Sequence, residues 1–349
     1  MLALSVYCTN RTAHLSMPVT GLLMLEEQGR VRLSFELDRS NRRRFPYAPL
    51  LGVDGGGKHL LFDLADGYGS EGEQALPRLA AEVDLGFRRS LSREETAKLP
   101  PELRDRLRPL GLHYHVSWPG SPIDRITSWR ERGGDLFQRV FNGAPRSSFT
   151  PDRFECRPVF SGRPTVLFYT RLWHVPAGDE LRESVEALNR SRVRLVSALK
   201  ARYGPRFMGG LQFDPRAVRQ WGALMVGVGE TKRTRYLQAL RRAHICVGSA
   251  GLHDSIGWKT AEYVAAAKAV VSEKFPFEVP GDFREGVNYL PFTDVEGCLA
   301  QVEALMEDPE RTYRMAQANR AYYLAHLRPD RLMANALAQA FPDWGRAAE

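Results

Sequence analysis

The sequence predicts an α/β protein with two doubly wound, Rossmann-like halves. Strand patterns alternate with helix patterns along the chain, which is typical of parallel sheets covered by helices. The 349 residues suffice for two domains that each bury a core. A stretch rich in Pro, Ser and Gly at residues 142–158 marks the boundary. We therefore expect a first domain at residues 1–150, a second at 151–330 and a closing segment at 331–349.

In the first half, short apolar or alternating runs predict strands, and runs of helix formers predict helices. Asp54-Gly55-Gly56-Gly57 stands between two apolar runs and predicts a β-hairpin. The other expected strands are 2–8, 30–37, 83–90 and 109–118, and the expected helices are 19–27, 73–82 and 121–141.

The second half restarts as a fresh series of alternating elements, which favours a parallel sheet. The expected strands are 164–173, 207–212, 243–247 and 269–273. The expected helices are 179–203, 233–243, one from about Ile256, and 331–341.

Composition places the protein among ordinary water-soluble proteins, with 43% hydrophobic and 26% charged residues. No apolar run approaches the length of a membrane span. The first residues, MLALSVYCTNRTAHLS, lack a basic leader and a long apolar core, so we expect a strand there and not a signal peptide. The four cysteines (Cys8, Cys156, Cys246 and Cys298) have no metal-type spacing. Reduced thiols in the cytoplasm are the simplest interpretation.

A net charge of +8 predicts anionic partners. A nucleotide diphosphate, a lipid-linked phosphate or an anionic membrane surface would each fit this charge. Nucleic acid is only the runner-up, because the basic residues are scattered and no RNA-binding aromatic signature accompanies them.

Polar residues near the ends of first-half strands are candidates for a cleft. Asp63 and Asp66 follow an apolar run, where they either face a ligand or cap the local backbone. His113 and His115 share one face of a predicted strand. No third ligand at a recognisable spacing supports a metal, so we expect an acceptor contact or hydrogen-bonded core positions.

The functional interpretation depends on residues 249–277, a loop, a helix and a strand. Gly251 lies in a small-residue loop that lets a ligand approach the backbone. Asp254 or Ser255 is available to cap the helix expected from Ile256. The free N–H groups of such a helix start, together with its dipole, are a natural seat for phosphate.

Two acids eight positions apart, Asp254 and Glu262, frame this helix start, with Gly257 between them. The segment resembles the donor-binding motif of GT-B glycosyltransferases of the group-1 type, in which two Glu residues are separated by seven others. Asp254 departs from that pattern, because the family usually has the longer Glu there. The resemblance covers about residues 160–335 and implies two domains facing across a cleft, with the closing helix crossing back to the first.

The resemblance implies a role for each acid. Glu262 would bind the ribose hydroxyls of a nucleotide, and Asp254 would lie beside the transferred sugar. An ionised carboxylate suits a vicinal diol because it accepts two hydrogen bonds. The structural alternative is that Glu262 pairs with Lys259 on a solvated helix face and that Asp254 is a plain cap.

Arg171 in Thr-Arg-Leu matches the Arg of the Gly-Arg-Leu element of the same enzymes. There it neutralises the donor diphosphate together with a Lys, which this chain lacks at the expected place. Arg190, Arg192 or Lys259 could supply the second charge. The helix start at Ser255, Ile256 and Gly257 would add its N–H groups.

We therefore expect a cytoplasmic glycosyltransferase that transfers a sugar from a nucleotide-sugar donor to an unidentified acceptor, which could be a glycan, a lipid-linked group or a small molecule. The resemblance implies retention at the anomeric carbon and no catalytic metal, and no cofactor is expected besides the nucleotide sugar. Peripheral contact with the inner face of an anionic membrane stays open. The alternatives are a sugar-nucleotide epimerase of GT-B shape and a non-catalytic basic binding protein.

Overall fold

Two β-sheets organise the chain, and they follow one another in the sequence. The computed structural model describes residues 1–8, 12–36, 50–67, 80–124, 144–175 and 178–346. The first sheet contains β1 (Leu2–Cys8), β2 (Val31–Glu36), β3 (Leu50–Gly55), β4 (Lys58–Asp63), β5 (Leu85–Arg88) and β6 (Leu107–Pro109). The second contains β7 (Val166–Thr170), β8 (Phe207–Leu211), β9 (Ile245–Gly248), β10 (Ala269–Glu273) and β11 (Leu290–Phe292).

The first sheet is mixed, with the strand order β2-β1-β3-β4-β5-β6. Strand β3 runs antiparallel to both of its neighbours, whereas the remaining pairs are parallel. The turn between β3 and β4 places Gly56 and Gly57 at φ 53° and 74°, a region that glycine adopts without strain. The predicted hairpin is therefore confirmed.

The second sheet is parallel throughout, with the order β11-β10-β9-β7-β8. In its central strands, Val166, Phe168, Ile245 and Val247 pack into one core, and the alternate residues, such as Leu167, pack into the other. Strands covered on both faces need apolar residues at every position. This explains why these runs are continuously apolar, and the predicted α/β fold is confirmed.

Helices cover both faces of the second sheet. The α-helices of the first half are α1 (Ser16–Glu27), α2 (Arg93–Ala97) and α3 (Pro101–Arg104). Those that follow in the chain are α4 (Pro151–Phe154), α5 (Arg182–Tyr203), α6 (Val218–Trp221), α7 (Arg233–Arg242), α8 (Trp258–Ala265), α9 (Val295–Glu307), α10 (Pro309–Tyr322), α11 (Pro329–Ala340) and α12 (Pro342–Arg346). Residues of α5 and α9 pack on one face, and residues of α7 and α8 pack on the other.

The strand predicted at 109–118 is wrong. Strand β6 ends at Pro109, and residues 110–118 are buried without regular structure. Pro109 has no N–H to donate to a neighbouring strand. Gly111 has a φ of 76° and packs against Val279 and Pro280 of the second half. The alternation of apolar residues therefore reflects burial and not pairing in the sheet. The helices predicted at 73–82 and 121–141 lie largely outside the described residues.

Helix α11 joins the end of the chain to its beginning by packing along α1. The Gln28 side-chain amide donates to Asp330 Oδ2 at 3.0 Å. The two helices are in close contact at Gly21, where a Cβ would lie 2.6 Å from Met333 Cγ and closer still to the Pro329 carbonyl. The division of the chain near residue 150 stays a prediction.

We predict that Gly21→Ala lowers the free energy of unfolding by about 1–2 kcal/mol, because overpacking against Pro329 exceeds the gain in helix propensity. Urea titration measures the change. Gly162→Ala is the control, since a Cβ there meets nothing within 4 Å. Equal stability of the two variants would contradict close packing of α1 on α11.

Candidate functional site

The loops that follow β7 and β9 lie side by side and are joined by one buried arginine. Arg192 of α5 is 6% exposed, and its Nη1 donates to the Arg171 carbonyl at 2.7 Å. Its Nη2 donates to the Ala250 carbonyl, also at 2.7 Å. Burial and the neighbouring Arg171 lower the pKa of Arg192 to about 10. Arg192 therefore holds the two loops together, and its guanidinium is already occupied by their carbonyls.

The loop between β9 and α8 closes on itself before the helix begins. The Gly251 N–H donates to the Ser255 carbonyl at 2.7 Å, and the Ser255 N–H donates to the Leu252 carbonyl at 3.1 Å. His253 and Asp254 have φ values of 54° and 55°, and Asp254 is exposed. Such values are uncommon outside glycine.

Helix α8 begins later than predicted. It starts at Trp258, Gly257 is its N-cap, and no side chain caps it. The expectation that Ser255 or Asp254 caps a helix from Ile256 is therefore wrong. The physical reason is the closed turn, because Ser255 and Gly257 must be extended to leave it and join the helix.

Glu262 is the most enclosed acid of the predicted motif. It is 3% exposed, and each carboxylate oxygen accepts a hydrogen bond from α7. Arg233 Nη2 donates to Oε1 at 2.9 Å, and the Tyr236 hydroxyl donates to Oε2 at 2.6 Å. The alternative of a solvated pair with Lys259 is therefore wrong, because Glu262 is buried and its ion pair is with Arg233.

Two cations of the predicted site, Lys259 and Arg171, make no ion pair with an acid in the described part of the chain, and both Glu262 and Arg171 are close enough to act on Lys259 electrostatically. Lys259 is half-buried, with Nζ 4.2 Å from the centre of the Tyr236 ring. Burial and the charges of Arg233, Arg171 and Arg192 lower the pKa of Lys259 to about 8, although Glu262 opposes the shift. Arg171 is exposed, and its guanidinium stacks 3.7 Å from the centre of the Trp173 ring.

Residues of the first half contact the start of α8 and the loop before it. Arg89 is 3% exposed, pairs with Asp66, and donates to the Ile256 carbonyl at 2.7 Å. Trp258 packs among three first-half imidazoles, with ring centres 4.9 Å from His14, 5.3 Å from His113 and 6.4 Å from His115. These contacts fix the start of α8 against the first half.

His113 is a hydrogen-bonded core residue. Its Nε2 lies 2.6 Å from the His14 carbonyl and its Nδ1 lies 3.2 Å from the Tyr114 carbonyl. Burial, together with the charges of Arg89, His14 and His115, holds the pKa of His113 well below its usual range. Within the described parts of the chain, no three His, Cys, Asp or Glu side chains are grouped as metal ligands.

The structure brings Arg171, Lys259 and Glu262 to one place beside the loop that contains Gly251, Ser255, Ile256 and Gly257. Asp254 lies on the same loop and is exposed. Its neighbour His253 packs against Gly67 of the first half. Sequence patterns did not single out Arg89, Arg233, Tyr236 or Trp258. The basic pair Arg88-Arg89 and the cluster at 232–235 were visible as charge, but their partners lie far away in the sequence. Arg190 lies outside the group, exposed near Glu186.

Residues 180–338 match the family model described as "Glycosyl transferase-like". Among solved structures, the chain is similar to a glycosyltransferase of Rickettsia africae, with 10% identity, coverage of 94% of this chain and 81% of that chain, and a TM-score of 0.48. It is also similar to Anabaena HepE in complex with UDP-glucose, with 12% identity, coverage of 79% and 68%, and a TM-score of 0.41. The third is the C-terminal domain of a group 1 family glycosyl transferase (LpcC) of Francisella tularensis, with 13% identity, coverage of 50% and 96%, and a TM-score of 0.35.

A comparison with curated protein sequences gave no match. All three TM-scores lie below 0.5. None of the helices in the described part of the chain is both long and apolar enough to cross a membrane.

We predict that Tyr236→Phe lowers the free energy of unfolding by about 1.5–3 kcal/mol, because Glu262 loses a hydrogen bond to its charge while staying buried. Tyr263→Phe is the matched control on the neighbouring helix. The Tyr263 hydroxyl is buried and has no hydrogen-bond partner among the described residues. Its removal should leave urea stability unchanged or raised, and a larger loss for Tyr263→Phe would contradict the network drawn around Glu262.

Proposed function

We propose that this protein is a glycosyltransferase that transfers a sugar from a nucleotide-activated donor to an acceptor in the cleft, which the family match at residues 180–338 supports. One observation carries the proposal: cations converge on the loops after β7 and β9. The positive charges of Arg171, Arg192 and Arg233 all lie close enough to Lys259 to lower its pKa. In open α/β sheets, ligands bind beyond the carboxyl ends of the strands.

The donor diphosphate would lie between Arg171 and Lys259, close to the start of α8. Neither side chain is ion-paired to a described carboxylate, so a polyanion would meet uncompensated positive charge. A guanidinium can hold phosphate oxygens with two parallel bonds. The N–H groups of Ile256 and Gly257 would add donors close to the positive end of the helix, whereas the Ser255 N–H already donates to the Leu252 carbonyl. Arg192 would contribute charge and hold the loops.

Glu262 would bind the ribose and Asp254 would orient the sugar. A carboxylate offers about four acceptor positions, and Arg233 and Tyr236 use two of those on Glu262, which leaves two for a diol. Because Glu262 is 3% exposed, side chains around it have to move when a nucleotide enters. Asp254 is exposed on the loop that faces the first half and is free to meet the sugar.

The acceptor would bind to the first half, near His14, His115 and Arg89. We propose retention at the anomeric carbon and stabilisation of the leaving diphosphate by Arg171, Lys259 and the backbone in place of a metal ion. We place the reaction in the cytoplasm, supported by the free thiols of Cys8, Cys156, Cys246 and Cys298. The net charge of +8 supports peripheral contact with an anionic membrane.

Thermal-shift and calorimetric titration of UDP, GDP, ADP, CDP and dTDP tests the proposal. A ligand at one hundred times its Kd should stabilise the native protein by about 2.7 kcal/mol. Glu262→Ala should weaken the binding of that nucleotide tenfold or more, since about 1.5–3 kcal/mol of charge-assisted bonding is lost. The proposal is wrong if none of the five nucleotides binds the parent protein.

Lys259 should make diphosphate binding depend on pH. Its ammonium is charged below its pKa of about 8 and neutral above it. Nearly all molecules therefore carry a charged Lys259 near pH 7. One pH unit above the pKa, at pH 9, only about a tenth of them do, so the affinity for the diphosphate should fall about tenfold. Lys259→Arg should bind with the same affinity at both pH values, because a guanidinium stays charged. A parent affinity that does not change between pH 7 and 9 would exclude Lys259 from the diphosphate site.

Diphosphate binding should not depend on a divalent ion. Arg171 and Lys259 would supply the positive charge that a metal ion supplies elsewhere. We expect the Kd of the bound nucleotide to be the same in EDTA as in MgCl2, measured by calorimetry. Binding seen only with Mg²⁺ or Mn²⁺ would contradict this account of the site.

A further inference from the structure

The side chain of Arg233 contacts three separate parts of the chain. Its Nη2 donates to Glu262 Oε1 at 2.9 Å and to the His115 carbonyl of the first half at 2.8 Å. Its guanidinium also lies over the rings of Phe149 and Phe154, 5.2 Å and 5.1 Å from their centres. Phe149 and Phe154 belong to the segment that connects the two halves. One side chain therefore links the acid of the proposed nucleotide site, the first half and the connection between them.

The contacts of Arg233 are held in place by their own neighbours. The Phe149 carbonyl accepts a hydrogen bond from the Ser117 N–H at 3.0 Å, so the connecting segment and residues 115–117 form one unit. Glu262 keeps its second oxygen on Tyr236. If Arg233 changes its bond to Glu262, the same nitrogen changes its bond to His115.

We propose that Arg233 is a positioning residue that couples Glu262 to the first half of the chain. Each of the two hydrogens on Nη2 makes one of these bonds, so a ribose hydroxyl that takes the second acceptor position of Oε1 reorients the nitrogen that also holds the His115 carbonyl. Occupation of the nucleotide site then alters the order of residues 115–117, which are buried in the first half. The nucleotide part of this inference depends on the proposed function.

The coupling can be tested without a ligand by hydrogen exchange of the Ser117 amide. Glu262→Gln removes the charge that orients Arg233, so exchange at Ser117 should accelerate about tenfold, the equivalent of one charge-assisted bond. In a protein that already carries Arg233→Met, the same Glu262→Gln change should have no further effect on Ser117. Equal acceleration in both backgrounds, or none in either, overturns the proposal, whichever nucleotides bind.

The nucleotide arm uses UDP, GDP, ADP, CDP and dTDP, each at saturation. A bound nucleotide should change exchange at Ser117 in the parent. In Arg233→Met it should still bind and leave Ser117 unchanged, while Arg233→Lys, which keeps the charge, should restore part of the response. Arg235→Met is the control, because Arg235 is exposed on the same helix and its Nη1 donates to Gln238 Oε1 at 3.2 Å. A purely structural role for Arg233 would lower stability and keep the response at Ser117, and that result contradicts the coupling.

If none of the five nucleotides binds the parent, the proposed function fails, and the ligand-free comparison alone decides the coupling. If Arg233→Met does not fold, Arg233→Lys takes its place in both arms. Arg233→Lys should then show a response at Ser117 that is smaller than that of the parent, and an undiminished response overturns the proposal.

Discussion

The buried carboxylate of Glu262 is the constraint on which the arrangement of the cleft depends. Removing a charge from water costs several kcal/mol, and only well-placed donors and an opposite charge offset this loss. Arg233 and Tyr236 are those donors, and both lie on α7. Helices α7 and α8 must therefore keep one relative position, and the loop between β9 and α8 is fixed as a result.

Arg192 acts on the other side of the same loop. Its guanidinium is buried and donates to the carbonyls of Arg171 and Ala250. The β7 and β9 loops are therefore held by side chains from α5 and α7, and not by their own sequence. The proposed donor site would therefore be preformed at its edges, with the half-buried Lys259 and the exposed Arg171 between them.

The second half could be predicted from the sequence because its strands are short, apolar and separated by helix patterns. Glu262 and Arg171 were found through a family motif, since their chemistry alone is ordinary. The first half was harder. Residues 110–118 look like a strand, but their apolar side chains are buried against other parts of the chain, and a backbone at φ 76° in Gly111 forbids the ladder.

The contacts that join the halves left no pattern in the sequence at all. Arg233 lies 118 residues from His115. Trp258 is separated from His14 by a still longer stretch, and no periodicity connects them. Local patterns report which residues are buried, whereas the identity of the partner depends on how two finished layers meet. Sequence patterns therefore missed Arg233 and Trp258, which join the halves, although the motif found Glu262, which Arg233 contacts.

The backbone at Asp254 bears on why the first acid of the motif is short. With φ at 55°, this residue is in the left-handed region, where Asp and Asn are several-fold enriched among residues other than glycine because their short polar side chains can bond locally. A longer acid has no such compensation. The turn that closes residues 251–255 thus favours an acid with a short side chain at this position.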